Sequence, residues 1–182
     1  PEAPQTITLP LKNNDIGWDC EFVDVDNDGW VDLFLVNGFI RLCLYDDPFN
    51  PDCGNEGQPE QPNLLWTNDG GGGFTRVTDA AGLTDLGWGK AAVWADFDDD
   101  GRLDVFVTDS GGPNSPADHG FWRNETPDAG HYLKVHLTGT QSNRDAIGAE
   151  LRARIGDVTL LRGRWSSTGY LSQDGPEVHF GV

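Results

Sequence analysis

The chain has 182 residues, enough to bury one sizeable core or two small ones, so one compact domain or two closely docked ones are expected. Its 12 Lys and Arg stand against 30 Asp and Glu, and a formal charge of −18 repels phosphate backbones and anionic lipid heads, which argues against nucleic acid and membrane surfaces as partners. Seven Trp, nine Phe and three Tyr exclude the disordered class to which so acidic a chain with few aromatics would belong.

Asp outnumbers Glu by 23 to seven. The short carboxylate suits tight turns in which an oxygen must sit close to the backbone, the geometry of calcium loops. The absence of Met suggests a mature product or a fragment from which any signal peptide has gone. No apolar run reaches the roughly 18 residues a membrane helix needs.

Residues 1–16 read as an extended arm. Pro1, Pro4 and Pro10 oppose a helix, and Ile7, Leu9 and Leu11 alternate. Residues 17–127 then contain an internal repeat. Gly17-Trp18 leads into VDVDNDGWVDLFLVNG, and Gly87-Trp88 leads into ADFDDDGRLDVFVTDSGG. Each unit closes on an aromatic-led segment, Leu65-Trp66-Thr67-Asn68 and Phe121-Trp122-Arg123-Asn124. Val31, Leu33 and Leu35 alternate after the first acidic stretch, and Leu103, Val105 and Val107 after the second, a strand period.

The first unit carries an insertion around Cys43 and Cys53, whose turn-rich intervening stretch suits a disulfide formed in an oxidising compartment. Cys20 shares strand parity with Phe22 and is expected to be a buried thiol. Residues 64–78 form a hairpin pattern around Gly70 to Gly73, which lack the Gly-Lys-Ser/Thr of a phosphate loop. From 128 to 182 the character changes to a second, smaller β subdomain. It has a strand over 131–137, then Ala149 to Ile155 and Val158 to Arg162 about a Gly156-Asp157 turn.

Asp24, Asp26 and Asp28 occupy positions 1, 3 and 5 of a loop, with Gly29 at 6, Trp30 at 7 and Asp32 at 9. Asp96, Asp98, Asp100, Gly101, Arg102 and Asp104 repeat the pattern. Alternate carboxylates on a curling backbone converge on one point, the glycine permits positive φ, and the residue at 7 offers its carbonyl. Four carboxylates so placed repel one another unless a cation lies between them, and hard oxygen donors select Ca²⁺ over zinc. Position 12 is Leu35 or Val107 and the flanks are strands, so neither loop is an EF-hand. Asp99 falls between ligand positions and should face solvent.

These residues resemble the FG-GAP/VCBS repeat family. The resemblance implies side-chain ligands at positions 1, 3, 5 and 9 and a carbonyl at 7 in each loop. It also implies an all-β fold, with two propeller-blade-like calcium-binding units packed on a small β-sandwich-like C-terminal subdomain. Residues 64–83 are similar to a linking segment of the cartilage acidic protein family. SNRDAIGAELRARIG (142–156) and STGYLSQDGPEVHFGV (167–182) resemble the ASPIC/UnbV domain that follows such repeats. Two units cannot close a propeller alone. The ASPIC/UnbV pattern normally continues past His-Phe-Gly into a further strand, so either the chain is a fragment or that strand comes from elsewhere.

The expected role is a non-enzymatic, calcium-stabilised extracellular structural or adhesion module with two Ca²⁺ ions and a protein partner. That partner includes the chain itself, if residues 6–11 donate a strand to a neighbour. The alternatives are a calcium-dependent carbohydrate-binding domain, with Trp30 and Trp94 beside the loops, and a hydrolase. No catalytic set stands out, because His119, His131, His136 and His179 lie in no recognisable motif. Asn124-Glu125-Thr126 is the one N-glycosylation sequon.

Overall fold

A computed structural model of the chain describes residues 16–38, 61–83, 87–111 and 119–182. The arm (apart from Ile16) and the Cys43–Cys53 pair lie outside the described residues. The protein is all-β, with no helix among the described residues and several small antiparallel sheets, none closed.

The first unit is a four-stranded meander of β1 (Gly17–Val23), β2 (Asp32–Asn37), β3 (Leu64–Asn68) and β4 (Phe74–Arg76). The β3–β4 hairpin is the one expected from the glycine-rich turn. The second unit orders β5 (Gly89–Ala95), β6 (Asp104–Asp109) and β7 (Gly120–Trp122). In both units the acidic stretch is the loop between the first two strands.

The repeat is offset from its sequence reading. A register shift lies between Gly17 and Asp19 in β1 and between Gly89 and Ala91 in β5. Gly17 therefore matches Gly89, and Gly87-Trp88 precedes the second strand instead of opening it. The Gly-Trp dipeptides misled because the backbone is aligned by the bulge and the loop, and the dipeptides differ in their distance from Asp24 and Asp96.

The units stack with opposite faces. The shared core takes Val23, Phe34, Val36 and Leu65 from the first sheet, and Ala92, Trp94, Val105 and Val107 from the second. Phe34 meets Trp94 edge-on, with ring centroids 5.2 Å apart. Counted from the loop aspartates, Phe34 matches Phe106, yet Phe34 faces the core and Phe106 lies outside it. A face-A-on-face-B arrangement of this kind can be continued from blade to blade. The remaining face of β2 and β3 is also covered, with Leu33, Leu64 and Trp66 forming a second cluster. The alternation of Leu33 and Leu35 thus belongs to a strand buried on both sides.

Strand β1 departs from expectation. Its inward positions are Asp19, Glu21 and Val23, and Cys20 faces outward with Phe22, so the thiol is not buried in the core. The inward acids cap an open edge. Asp19 Oδ2 accepts from Ala92 N–H (2.9 Å), and Asp174 Oδ1 accepts from Trp94 N–H (2.8 Å), so two amides of β5 are satisfied by side chains. Glu21 lies between them, 5% exposed, and neither of its carboxyl oxygens meets a donor among the described residues. Burial, then the charges of Asp174 and Asp19, push its pKa up to about 10.

The C-terminal part pairs β8 (Tyr132–Val135) with β11 (Val178–Gly181), and β9 (Glu150–Ile155) with β10 (Val158–Gly163). The two ribbons enclose Leu160, Val178 and Phe180, with Val135, Leu137, Leu151 and Ala153 against them.

Candidate metal centres in the two aspartate loops

Local chemistry builds each loop. Asn27 and Asp99, at position 4, have φ of 60° and 59°, and Gly29 and Gly101, at position 6, have 91° and 89°. Asp and Asn tolerate the left-handed region, and glycine enters it freely, so the same curl forms twice. Carboxylates then hold the curl by accepting from amides ahead of them. Asp24 Oδ2 accepts from Gly29 N–H (3.1 Å) and Asp96 Oδ2 from Gly101 N–H (2.9 Å). Asp28 Oδ1 accepts from Trp30 N–H (2.8 Å) and Asp100 Oδ1 from Arg102 N–H (3.0 Å).

In the first loop Asp24, Asp26 and Asp28 converge, one oxygen of each lying within 4.8 Å of the others. In the second loop Asp96, Asp98 and Asp104 do so. Asp32 and Asp100 lie outside these closest groups. Asp32 is fully buried, and its two oxygens accept from Val25 N–H and Asn68 N–H, both at 2.8 Å. Asp100 is drawn toward Arg102 and Arg123. Trp30 is 42% exposed, with its ring against Gly70, and the Arg102 guanidinium donates to Asn124 O (2.7 Å). Asp99 reaches Lys134 Nζ at 2.9 Å, so it pairs with a cation as well as facing solvent.

Collecting these acids is unfavourable without a counter-charge. Burial pushes Asp24 up to about 6 and Asp32 up to about 7, and raises Asp26 and Asp104. Asp24 is 3% exposed, and its Oδ1 has no hydrogen-bond partner among the described residues. An orphaned buried oxygen on a carboxylate that groups with two others fits a hard divalent cation.

Two functional residues escaped the sequence reading. Asn68 donates from Nδ2 to Val31 O (3.0 Å), and its amide N–H binds Asp32. Asn124 does the same to Leu103 O (3.1 Å) and Asp104 (2.7 Å), and also donates to Val25 O (2.7 Å). Each clamps positions 8 and 9 of its loop. The signal was the asparagine that ends both aromatic-led segments. Because the Asn124 amide nitrogen already donates twice, a glycan on it would have to displace at least one of these bonds.

Residues 139–182 match the model of the family described as ASPIC and UnbV, and residues 53–107 match that of the FG-GAP-like repeat. The chain carries an FG-GAP-like repeat and a C-terminal ASPIC/UnbV domain. No curated protein matches it. FG-GAP-like repeats are propeller-type units typical of extracellular proteins, and the repeat match runs through the second loop and ends within β6. Among the described residues no helix is long and apolar enough to cross a membrane.

The C-terminal part, residues 128–182, sits on the loops. Gly181 N–H and Arg162 Nη2 approach Asp24 Oδ2 at 3.1 and 3.5 Å, and Lys134 Nζ meets Asp96 Oδ2 at 2.7 Å. Bonding to Asp96, then to Asp99, raises the Lys134 pKa above its ordinary value. Of the histidines, His119 Nδ1 accepts from Asp109 N–H, and burial lowers the pKa of His179, whose Nε2 lies 3.0 Å from Gly101 O. Trp94 is buried in the core, which removes it from any sugar-stacking surface.

Proposed function

We propose that the protein is a non-enzymatic, calcium-stabilised extracellular structural or adhesion module. The unpartnered Oδ1 of buried Asp24, a residue that groups with Asp26 and Asp28, carries this reading. The first ion is held by Asp24, Asp26, Asp28 and Asp32 with the Trp30 carbonyl. The second is held by Asp96, Asp98, Asp100 and Asp104 with the Arg102 carbonyl. Both are structural, since the grouped carboxylates are spent on shaping their own loops, and the imidazole packed on the second loop, His179, has its Nε2 on Gly101 O. With dissociation constants of roughly 0.1–1 mM, each site adds about 0.4–1.4 kcal/mol at millimolar calcium. Calorimetric titration with calcium should therefore show binding, and the melting temperature should fall on chelation. An unchanged melting temperature together with no binding heat would overturn the reading.

The partner proposed is a protein, including a second copy of this chain. Two surfaces support it. Among the described residues the β8–β11 ribbon has no third strand, so it can accept one. Phe97 and Phe121, 5.4 Å apart and both more than half exposed, lie at the outer face of the second unit. Residues 6–11 alternate as a donated strand would. Deleting residues 1–12 should abolish oligomers, and light scattering that gives one size with and without them refutes strand donation.

A further inference from the structure

The aspartate at position 1 of each loop is shared between its own loop and the C-terminal part, and Asp96 Oδ1 accepts from Asp100 N–H (3.0 Å). Asp24 groups with Asp26 and Asp28, and its Oδ1 is buried with no protein donor among the described residues. Asp24 Oδ2 accepts from Gly29 of its own loop and from Gly181 of β11, with Arg162 of β10 beside it. Asp96 Oδ2 likewise accepts from Gly101 of its own loop and from Lys134 of β8.

The glycine at position 6 is shared in the same way. Gly29 O accepts from Arg162 Nη2 (3.1 Å). Gly101 O accepts from Asn27 Nδ2 (3.1 Å) and lies 3.0 Å from His179 Nε2. A Cβ on Gly101 would run into the Tyr132 ring, so β8 of the C-terminal part rests directly on the loop backbone. Gly130 N–H also donates to Asp26 O (2.9 Å). The C-terminal part thus grips the loops by their curvature, mostly through backbone groups that exist in this arrangement only while the curl is held.

We propose that Asp24 and Asp96 couple cation binding in the loops to the seating of the C-terminal part (128–182), which contains the ASPIC/UnbV match. An ion held by Asp24 with its neighbouring carboxylates would fix the carboxylate whose Oδ2 meets Gly181 N–H and Arg162. Seating of the C-terminal part conversely holds the loop in its ligating shape, and thermodynamic linkage makes the two effects equal. Asp24 and Asp96 are ligands under the reading above, on which this inference rests. Arg162, Lys134, Tyr132 and His179 are positioning residues. The coupling makes calcium a switch for the joint between repeat units and C-terminal domain.

The test uses the full chain. Hydrogen exchange is followed in 2–5 mM calcium and in excess chelator (on the order of extracellular site affinities), with calorimetry on the same samples. Amides of 129–135 and 178–182 should exchange about tenfold faster in chelator, while those bonded within the β9–β10 ladder change little, because that hairpin holds its own register. Tyr132→Ala loosens the seat without removing a loop carboxylate, and should raise the calcium dissociation constant about five- to tenfold. Should Tyr132→Ala not fold, Lys134→Met replaces it, read by exchange at 129–135 in calcium. Calcium heat with unchanged exchange at 129–135 and 178–182 overturns the coupling alone. Absence of heat at millimolar calcium overturns the metal reading and the coupling together.

Discussion

The two repeat units run the same loop through different surroundings. The φ angles at positions 4 and 6 agree within a few degrees, and both loops use an asparagine clamp, Asn68 at the end of β3 and Asn124 just past β7. The first loop, however, is entered from a strand bearing Asp19 and Glu21 where the second has Ala91 and Val93. Its position-1 carboxylate meets one guanidinium, Arg162, at 3.5 Å. Around the second loop stand Lys134, Arg102 and Arg123. Backbone geometry makes a potential cage, and the charges around it set how strongly the cage needs a cation. The first loop, buried and short of counter-charge, should hold calcium more tightly than the second.

The largest test of that comparison replaces the position-1 acids. Asp24→Asn places an amide against either the ion side or the Gly181 and Arg162 donors, so one set of partners is lost in each orientation. In calcium it should cost about 2–4 kcal/mol in urea denaturation. Asp96→Asn should cost about half as much, because Lys134 can turn to Asp99. In chelator the order narrows, since the amide relieves a carboxylate already pushed up to about 6 by burial. Equal losses for the two variants in calcium would break the comparison.

Glu21 distinguishes the entering strands through pH. Its pKa rises from an ordinary 4.5 to about 10 in the folded chain, so the folded form holds a proton that the unfolded form releases across that window. The group's contribution is whole below about 4.5 and is lost as pH rises toward 10. Glu21→Gln keeps a donor and removes the ionisation, so it should stabilise the protein at pH 8–9 by about 1–2 kcal/mol and flatten its pH profile. Val93→Ala, at the matching site of the second unit, should leave that profile unchanged.

Much of this was legible in the chain, for identifiable reasons. The loops could be read because ligand spacing and the position-6 glycine are local, and local geometry is encoded within nine residues. Strand identity and the β3–β4 hairpin were legible from period two and turn glycines. The direction in which β1 faces was not, because Asp19, Glu21 and Val23 alternate with Trp18, Cys20 and Phe22. Hydrophobicity alone points the second set inward. What reverses the strand is the need of the β5 amide at Ala92 for an acceptor, met by Asp19, a tertiary demand that no local pattern carries. The same holds for Lys134 and Arg162, ordinary cations in sequence that the fold brings to aspartates far away in the chain.

The asparagine clamps sharpen the comparison at a smaller scale. Asn68→Ala should cost about 1–2 kcal/mol by freeing the Val31 carbonyl. Asn124→Ala should cost about 2–3 kcal/mol, because Val25 O, in the first loop, loses its donor along with Leu103 O. If the two variants were equally destabilised in thermal melts, the Val25 bond would have no weight and Asn124 would act within its own unit alone.

The smallest expected effect isolates the counter-charge itself. Arg123 holds Asp98 at 2.6 Å and Asp100 at 3.4 Å, and half of its side chain is in solvent. It therefore competes for two carboxylates of the second loop while screened by water and salt. Arg123→Gln should tighten calcium binding at that loop about two- to fivefold at low salt and leave the first loop unchanged. In about 1 M salt, where the Debye length falls to roughly 3 Å, the gain should vanish. A gain that persisted there would mean that Arg123 acts through the shape of the loop, and the difference between the two units would then be one of geometry, against the matched dihedrals at positions 4 and 6.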